Sequence, residues 1–487
     1  MRAERRGVAL LAALVSVLAC APADQPPPSQ VPSAATSTPA SAPAPTATSP
    51  GPSDAGPGAP GIGDADFPHD GNGGYDVTHY DIAVDYTPKT KRLEGVTTIT
   101  AAATQALSSF NLDLSGLDVR EVTVDGAAAT FTRQGSELTV RPPRPLADGG
   151  GFTVRVSYAG VPKPIQDPDN LGSYGFIPTG DGAFVTAEPN GAKTWFPAND
   201  HPADKATFDF AITVPAGLTA LANGELAGRP ATSGGKTTWR WRERRPMVTY
   251  LATATLGEFE LRQGRSAGGI PVLAAVDPAF ESSLEGVYKT SAEVTDYWAT
   301  VFGPYPFDST GGVVDDFAAG YALENQTKPM YGGFDPDDGI TAHELAHQWF
   351  GDSLSIRRWK DLWLNEGFAT YAEWLWAEHK GKETAEAAFE RQHRRPAGDS
   401  IWKYPPGRAR PDDLFNQSVY TRGAMTLHAL REEIGDRTFF DLLRTWTAEH
   451  RYGHVTTDQF VQLAERLSGK SLDSLFDAWL FQPRRPA

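Results

Sequence analysis

Two histidines four positions apart, with a glutamate beside the first, place the tightest constraint on this chain: His343-Glu344-Leu345-Ala346-His347. Residues four apart share one face of a helix, so both imidazoles can reach one point only if this segment is helical. A further carboxylate follows at Glu366, in Leu362-Trp363-Leu364-Asn365-Glu366-Gly367-Phe368-Ala369, where the spacing predicts a second helix. The fold must therefore pack two helices so that three side chains meet. Two neutral imidazoles and one carboxylate suit zinc and leave a fourth position for water. His343, His347 and Glu366 are the candidate ligands of one Zn2+ per chain.

The N-terminus carries a different signal. Arg2, Arg5 and Arg6 precede an apolar run from Val8 to Leu18, the layout of a secretory signal. That run is shorter than the ~20 residues a membrane span needs. It ends in Val17-Leu18-Ala19-Cys20, and Cys20 is the only cysteine in the chain. The ending is similar to a bacterial lipobox, in which cleavage leaves a lipid-modified cysteine as the first residue. Residues 1–20 are then a lipoprotein signal peptide, and the protein is exported and held at the outer face of a bacterial membrane by lipid alone. An ordinary signal peptide on a secreted protein is the alternative. With one thiol no intrachain disulfide can form, so packing and metal must hold the fold. From 21 to 66 the chain is Pro, Ala, Ser, Thr and Gly with almost no large apolar residue, which predicts a disordered tether.

Beyond the tether the texture changes twice. In Tyr80-Asp81-Ile82-Ala83-Val84-Asp85-Tyr86, Phe152 to Tyr158 and Phe208 to Val214, large apolar residues alternate with small or polar ones. Period-two alternation between Gly, Pro and Asp breaks predicts antiparallel sheet, hence a β-sandwich-like domain over 67–267. After Gly268-Gly269, 3.6-type spacing predicts helices over 280–302, 341–351, 362–379, 422–433 and 458–467, the last with Thr457 as N-cap and Gly469 just past its end. A mainly helical domain is expected over 268–487. The formal charge of −16 argues against nucleic acid as a partner.

Several segments together carry a family resemblance. His343 to Asp352 (HELAHQWFGD), followed by WLNEGFA, resembles the aminopeptidase N family of zinc metallopeptidases, which are gluzincins. Tyr321-Ala322-Leu323-Glu324-Asn325 is similar to the family's exopeptidase motif, usually G-A-M-E-N. Val419-Tyr420-Thr421-Arg422-Gly423-Ala424 is similar to the segment carrying its catalytic tyrosine. Trp195 to Asp200 and Lys205 to Phe208 also resemble the family, and the likeness covers roughly 75 to 483. It implies a thermolysin-like catalytic domain in a short form without the C-terminal domains of long members.

The resemblance also implies roles. Glu344 is the general base for water and Tyr420 the donor to the oxyanion. Glu324 and Glu188 hold the free α-ammonium of a peptide substrate, along the strand of Ala322, Leu323 and Asn325. Glu373 is a candidate to orient a ligand histidine, and the other eight histidines, His428 and His454 included, are structural or on the surface. Two departures stand out. Leu323 replaces the usual Met with similar volume. Tyr321 replaces the usual Gly and puts a side chain where a substrate backbone approaches. An aminopeptidase is the first expectation. A thermolysin-type endopeptidase, a non-catalytic peptide-binding relative, and additional hydrolysis of another small substrate such as an epoxide remain the alternatives.

Overall fold

Alternation along the strands builds the first half of the molecule. In the strand Tyr75–Thr87, the side chains of Tyr80, Ile82 and Val84 are buried while Asp81 and Ala83 face water. Such strands line up into a nine-stranded sheet, whose longest members are Tyr75–Thr87, Arg92–Ala103, Gly151–Gly160, Lys205–Pro215 and Lys236–Val248. A five-stranded sheet that includes Gly172–Pro178, Ala183–Thr186 and Ala254–Gly257 shares its hydrophobic core. The expected antiparallel pairing holds throughout the larger sheet except between Lys205–Pro215 and Tyr75–Thr87, which run parallel. That pair is made possible by the long excursion of chain between the two strands.

This computed structural model describes residues 55–167 and 172–486, within one unit that runs from Pro50 to Ala487. The expected signal segment, Cys20 and the tether up to 54 lie outside the described residues. The end of the expected tether differs from the sequence reading. Gly56–Pro57 pairs with the strand Leu107–Asp113. Asp64 is buried and accepts the Trp359 N–H at 2.9 Å. A segment poor in apolar side chains is held here by backbone pairing and one buried carboxylate, which composition does not reveal.

The second half is helical but opens on a sheet that the sequence spacing did not predict. Glu260–Arg265, Pro271–Val276, Thr310–Asp315, Met330–Gly332 and Ala322–Leu323 form five strands in that spatial order, with Ala322–Leu323 at an edge. The boundary expected at 267/268 falls inside a hairpin, because Gly268-Gly269 turns the chain between the first two of these strands. Gly269 has φ +88°, a conformation that suits glycine.

Among the described residues eight α-helices follow: α1 (Leu284–Phe302), α2 (Asp338–Ala346), α3 (Trp363–His379), α4 (Ala385–His393), α5 (Gly423–Ile434), α6 (Asp436–Glu449), α7 (Thr457–Ser468) and the single turn α8 (Asp473–Phe476). α7 is capped by Thr456, one residue before the expected position, and Thr456 pairs reciprocally with Gln459. α4 and α6 were not expected. The signal for α6 was present, since Phe439, Leu442, Leu443 and Trp446 recur at helical spacing and are all buried. Among the described residues no helix is long and apolar enough to cross a membrane.

Candidate active site

The metal-ligand helix starts where its first free N–H groups find a partner: Asp337 accepts from Gly339 and Ile340. α2 then carries His343 and Glu344 into the interior and ends at His347, all three buried. α3 packs across it and supplies Glu366 from its first turn. The Glu366 Oε2 lies 3.3 Å from His343 Nε2 and 3.5 Å from His347 Nε2. Ligand atoms placed around one tetrahedral zinc are separated by about 3.3 Å, given metal–ligand bonds of about 2.0–2.1 Å. Both separations match that spacing, and all three donor atoms lie within 4.8 Å of one another.

The surroundings favour a cation at the same point. His343 Nδ1 lies 2.6 Å from Glu373 Oε1, and His347 Nδ1 lies 3.0 Å from the Phe350 carbonyl oxygen. Each imidazole thus directs Nδ1 to an acceptor, which leaves Nε2 for a metal. Burial disfavours charge on His343, but Glu366 and Glu373 outweigh it and push its pKa well above 6.5. Glu373, expected as a support, has that position.

A second cluster of acids adjoins the ligands. Carboxylate oxygens of Glu188, Glu324 and Glu366 all lie within 4.8 Å of one another, and all three residues are buried. Burial, then Glu324 and Glu366, push the Glu188 carboxyl well above its usual range, and its Oε1 has no protein partner. Tyr250 donates its hydroxyl to Glu324 at 3.2 Å. Gln348 Nε2 donates to the Glu324 carbonyl at 3.0 Å, while its Oε1 accepts the Thr327 N–H at 2.7 Å. Tyr250 had no sequence signal. Gln348 lay in plain view beside His347.

Burial pushes the Glu344 carboxyl up to about 8, with His343 and His347 drawing it down. A divalent cation between the ligands adds to that downward pull. Tyr420 sits in a π-helical turn, Ser418–Arg422, that leads into α5, and its ring stacks on His343 at 6.3 Å between centroids. Burial, followed by Glu366 and Glu188, raises its pKa well above 10.0, so the phenol stays a hydrogen-bond donor.

Most of the expected residues line one cavity of about 280 Å³: Glu188, Ala322, Leu323, Glu324, His343, Glu344, His347, Glu366 and Tyr420. Thr186, Tyr321, Ile340, Glu373 and Phe415 complete its wall. Asn325 differs from the expectation, since it is buried outside that wall with its Nδ2 donating to the Leu251 carbonyl. It braces the strand instead of facing the cavity. Cys20 lies outside the described residues.

Comparison with known proteins agrees with this arrangement. Residues 77–251 match the Peptidase M1 N-terminal domain and residues 337–479 the Peptidase family M1 domain. The crystal structure of the M1 zinc metallopeptidase from Deinococcus radiodurans is similar with TM-score 0.79 and 30% identity, covering 88% of this chain and 99% of that one. A mutant of that enzyme bound to a Tyr-Ser-Ala substrate gives TM-score 0.78 over 88% of this chain and 99% of its own. Aminopeptidase N of Lactococcus lactis subsp. cremoris is 26% identical over 452 residues, 84% of this chain and 51% of that protein. Aminopeptidase M1 of Arabidopsis thaliana is 28% identical over 334 residues, 62% of this chain and 37% of that protein. The chain spans at most about half the length of these two relatives.

A sheet-rich half, a helical half and a two-histidine, one-glutamate ligand set between helices define a gluzincin. More narrowly, the chain belongs to peptidase family M1, matching both its N-terminal and its peptidase domain.

Proposed function

We propose that this protein is a zinc-dependent aminopeptidase that removes residues from the free N-termini of peptides. The observation that carries the reading is the trio of buried carboxylates, Glu188, Glu324 and Glu366, within 4.8 Å of one another. Glu366 answers to the metal. The other two are left in low dielectric without a countercharge, a costly arrangement unless a cation joins them. A substrate α-ammonium is such a cation, and it would sit one residue away from the bond that faces the ligands.

Zinc held by His343, His347 and Glu366 supplies Lewis acidity to a water and to the scissile carbonyl. Glu344 accepts the water proton and returns it to the departing amine. Tyr420 donates its hydroxyl to the oxyanion of the tetrahedral intermediate. Leu323 and Ala322 offer the strand along which the peptide lies. The net charge disfavours nucleic acid as a partner, and the reading assigns none. The protein is further proposed to be exported and anchored through Cys20, with secretion as the alternative.

The test compares free and N-acetylated forms of the same peptide. Acetylation removes the charge and strands Glu188 and Glu324, so the blocked peptide should be cleaved at least ~100-fold more slowly. Glu324→Ala should lower activity on the free peptide and narrow that gap while zinc content holds. Efficient cleavage of the blocked peptide at internal bonds, abolished by Glu344→Gln, would leave the thermolysin-type endopeptidase as the correct reading.

A further inference from the structure

We infer that Tyr321 sets the length of peptide that the site accepts, by bridging the groove about three residues beyond the ammonium pocket. The inference rests on the aminopeptidase reading above. It begins with the edge strand Ala322–Leu323, which among the described residues pairs on one side only, with Met330–Gly332. A peptide fixed by its ammonium at Glu324 can follow this strand in one direction. Asn325, Gln326, Thr327 and Lys328 are all buried, so the chain closes the cavity on that side. Ala322 and Tyr321 are half-exposed and Gly320 is exposed, so the way out runs past them.

Tyr321 stands across that way out. Its hydroxyl donates to the Ser173 carbonyl at 2.8 Å and lies 2.8 Å from the Thr186 hydroxyl, which is left to act as donor to it. Both partners belong to the sheet-rich half, and Thr186 lies two residues before Glu188. The phenol therefore joins the two walls of the cavity it lines. Three residues of extended strand separate it from Glu324, roughly 10 Å, and an extended substrate advances at the same rise. About three substrate residues fit before the ring. Glycine, usual in the motif this segment resembles, could make no such bridge. Longer peptides must break both hydrogen bonds or bend away from the strand.

Kinetics on an alanyl arylamide and on di-, tri-, tetra- and hexa-alanine test this. The wild-type kcat/KM is expected to fall roughly tenfold or more between tri- and hexa-alanine, and Tyr321→Gly to narrow that fall to about twofold. Tyr321→Phe keeps the ring and loses both hydrogen bonds, so it should narrow the fall in part. It becomes the deciding variant if Tyr321→Gly does not fold, judged by zinc content and circular dichroism. A flat wild-type profile, or a fall that persists in every variant that folds, overturns the inference. Zinc-loaded wild type that leaves the arylamide uncleaved overturns the aminopeptidase reading itself.

Discussion

The side chains of the cluster are assigned different chemistry, and single substitutions separate them. His343→Ala or Glu366→Ala removes one of only three protein donors, so zinc content should drop well below one per chain by elemental analysis. Glu344→Gln should keep the zinc and lose roughly 100- to 10,000-fold in turnover, because an amide cannot accept the water proton. Tyr420→Phe should also keep the zinc and lose about 3 kcal/mol, almost all of it in kcat, as for a bond made only in the transition state. Normal turnover in Tyr420→Phe would remove that residue from the mechanism. The meeting of His343 and His347 was legible in the sequence because helix periodicity alone brings them together. Glu188 was not legible in this way. It reaches Glu324 from the turn that follows the strand Ala183–Thr186 of the other half, and only the family resemblance pointed to it. Tyr250 carried neither kind of signal, and its contact with Glu324 emerges from folding alone.

At the scale of elements, the meeting of α3 and α5 decides whether Glu366 and Tyr420 face one another. The helices approach glycine to glycine: a Cβ on Gly367 would lie 2.9 Å from the Gly423 Cα, and a Cβ on Gly423 would lie 2.9 Å from the Gly367 Cα. Neither obstruction is a flexible side chain. Gly367→Ala should therefore destabilise by about 1–3 kcal/mol, read as a lower denaturation midpoint. Because Gly367 follows Glu366 and Gly423 closes the turn that carries Tyr420, kcat should fall as well in the folded fraction. An unchanged midpoint would show that the helices can part at little cost. The existence of α3 and α5 was legible from apolar spacing, yet the π-helical turn before α5 was not, because it adds a residue without changing the apolar pattern. The five-stranded sheet escaped notice because its members are short and flat in polarity. Thr310–Asp315 is buried at every position and shows no alternation.

Across the whole molecule the two halves are joined by side chains that reach from one to the other. Lys205 Nζ donates to the carbonyls of Asp352 and Ser353, each at 2.8 Å, directly behind the metal helix. Asn223 donates to the Gln326 carbonyl at 2.9 Å, and the Gly224 N–H donates to the Thr327 hydroxyl at 2.8 Å. These bonds hold the segment after Glu324 against the sheet-rich half. The proposed attachment to a membrane is a separate matter and rests on Cys20 alone. Cys20→Ser should shift the protein from the membrane pellet to the soluble fraction and abolish a lipid mass increment. Unchanged fractionation and mass would refute the lipoprotein.

The distribution of the site between the halves has a consequence for inheritance. Glu188 lies before the junction of the halves, while Glu324 and the ligands lie after it. A crossover between two related genes at that junction would join halves that share one hydrophobic core. It would also mate Glu188 from one ancestor with Glu324, the candidate metal ligands and Tyr321 from another. Under the proposed function, selection on substrate choice acts on both halves together.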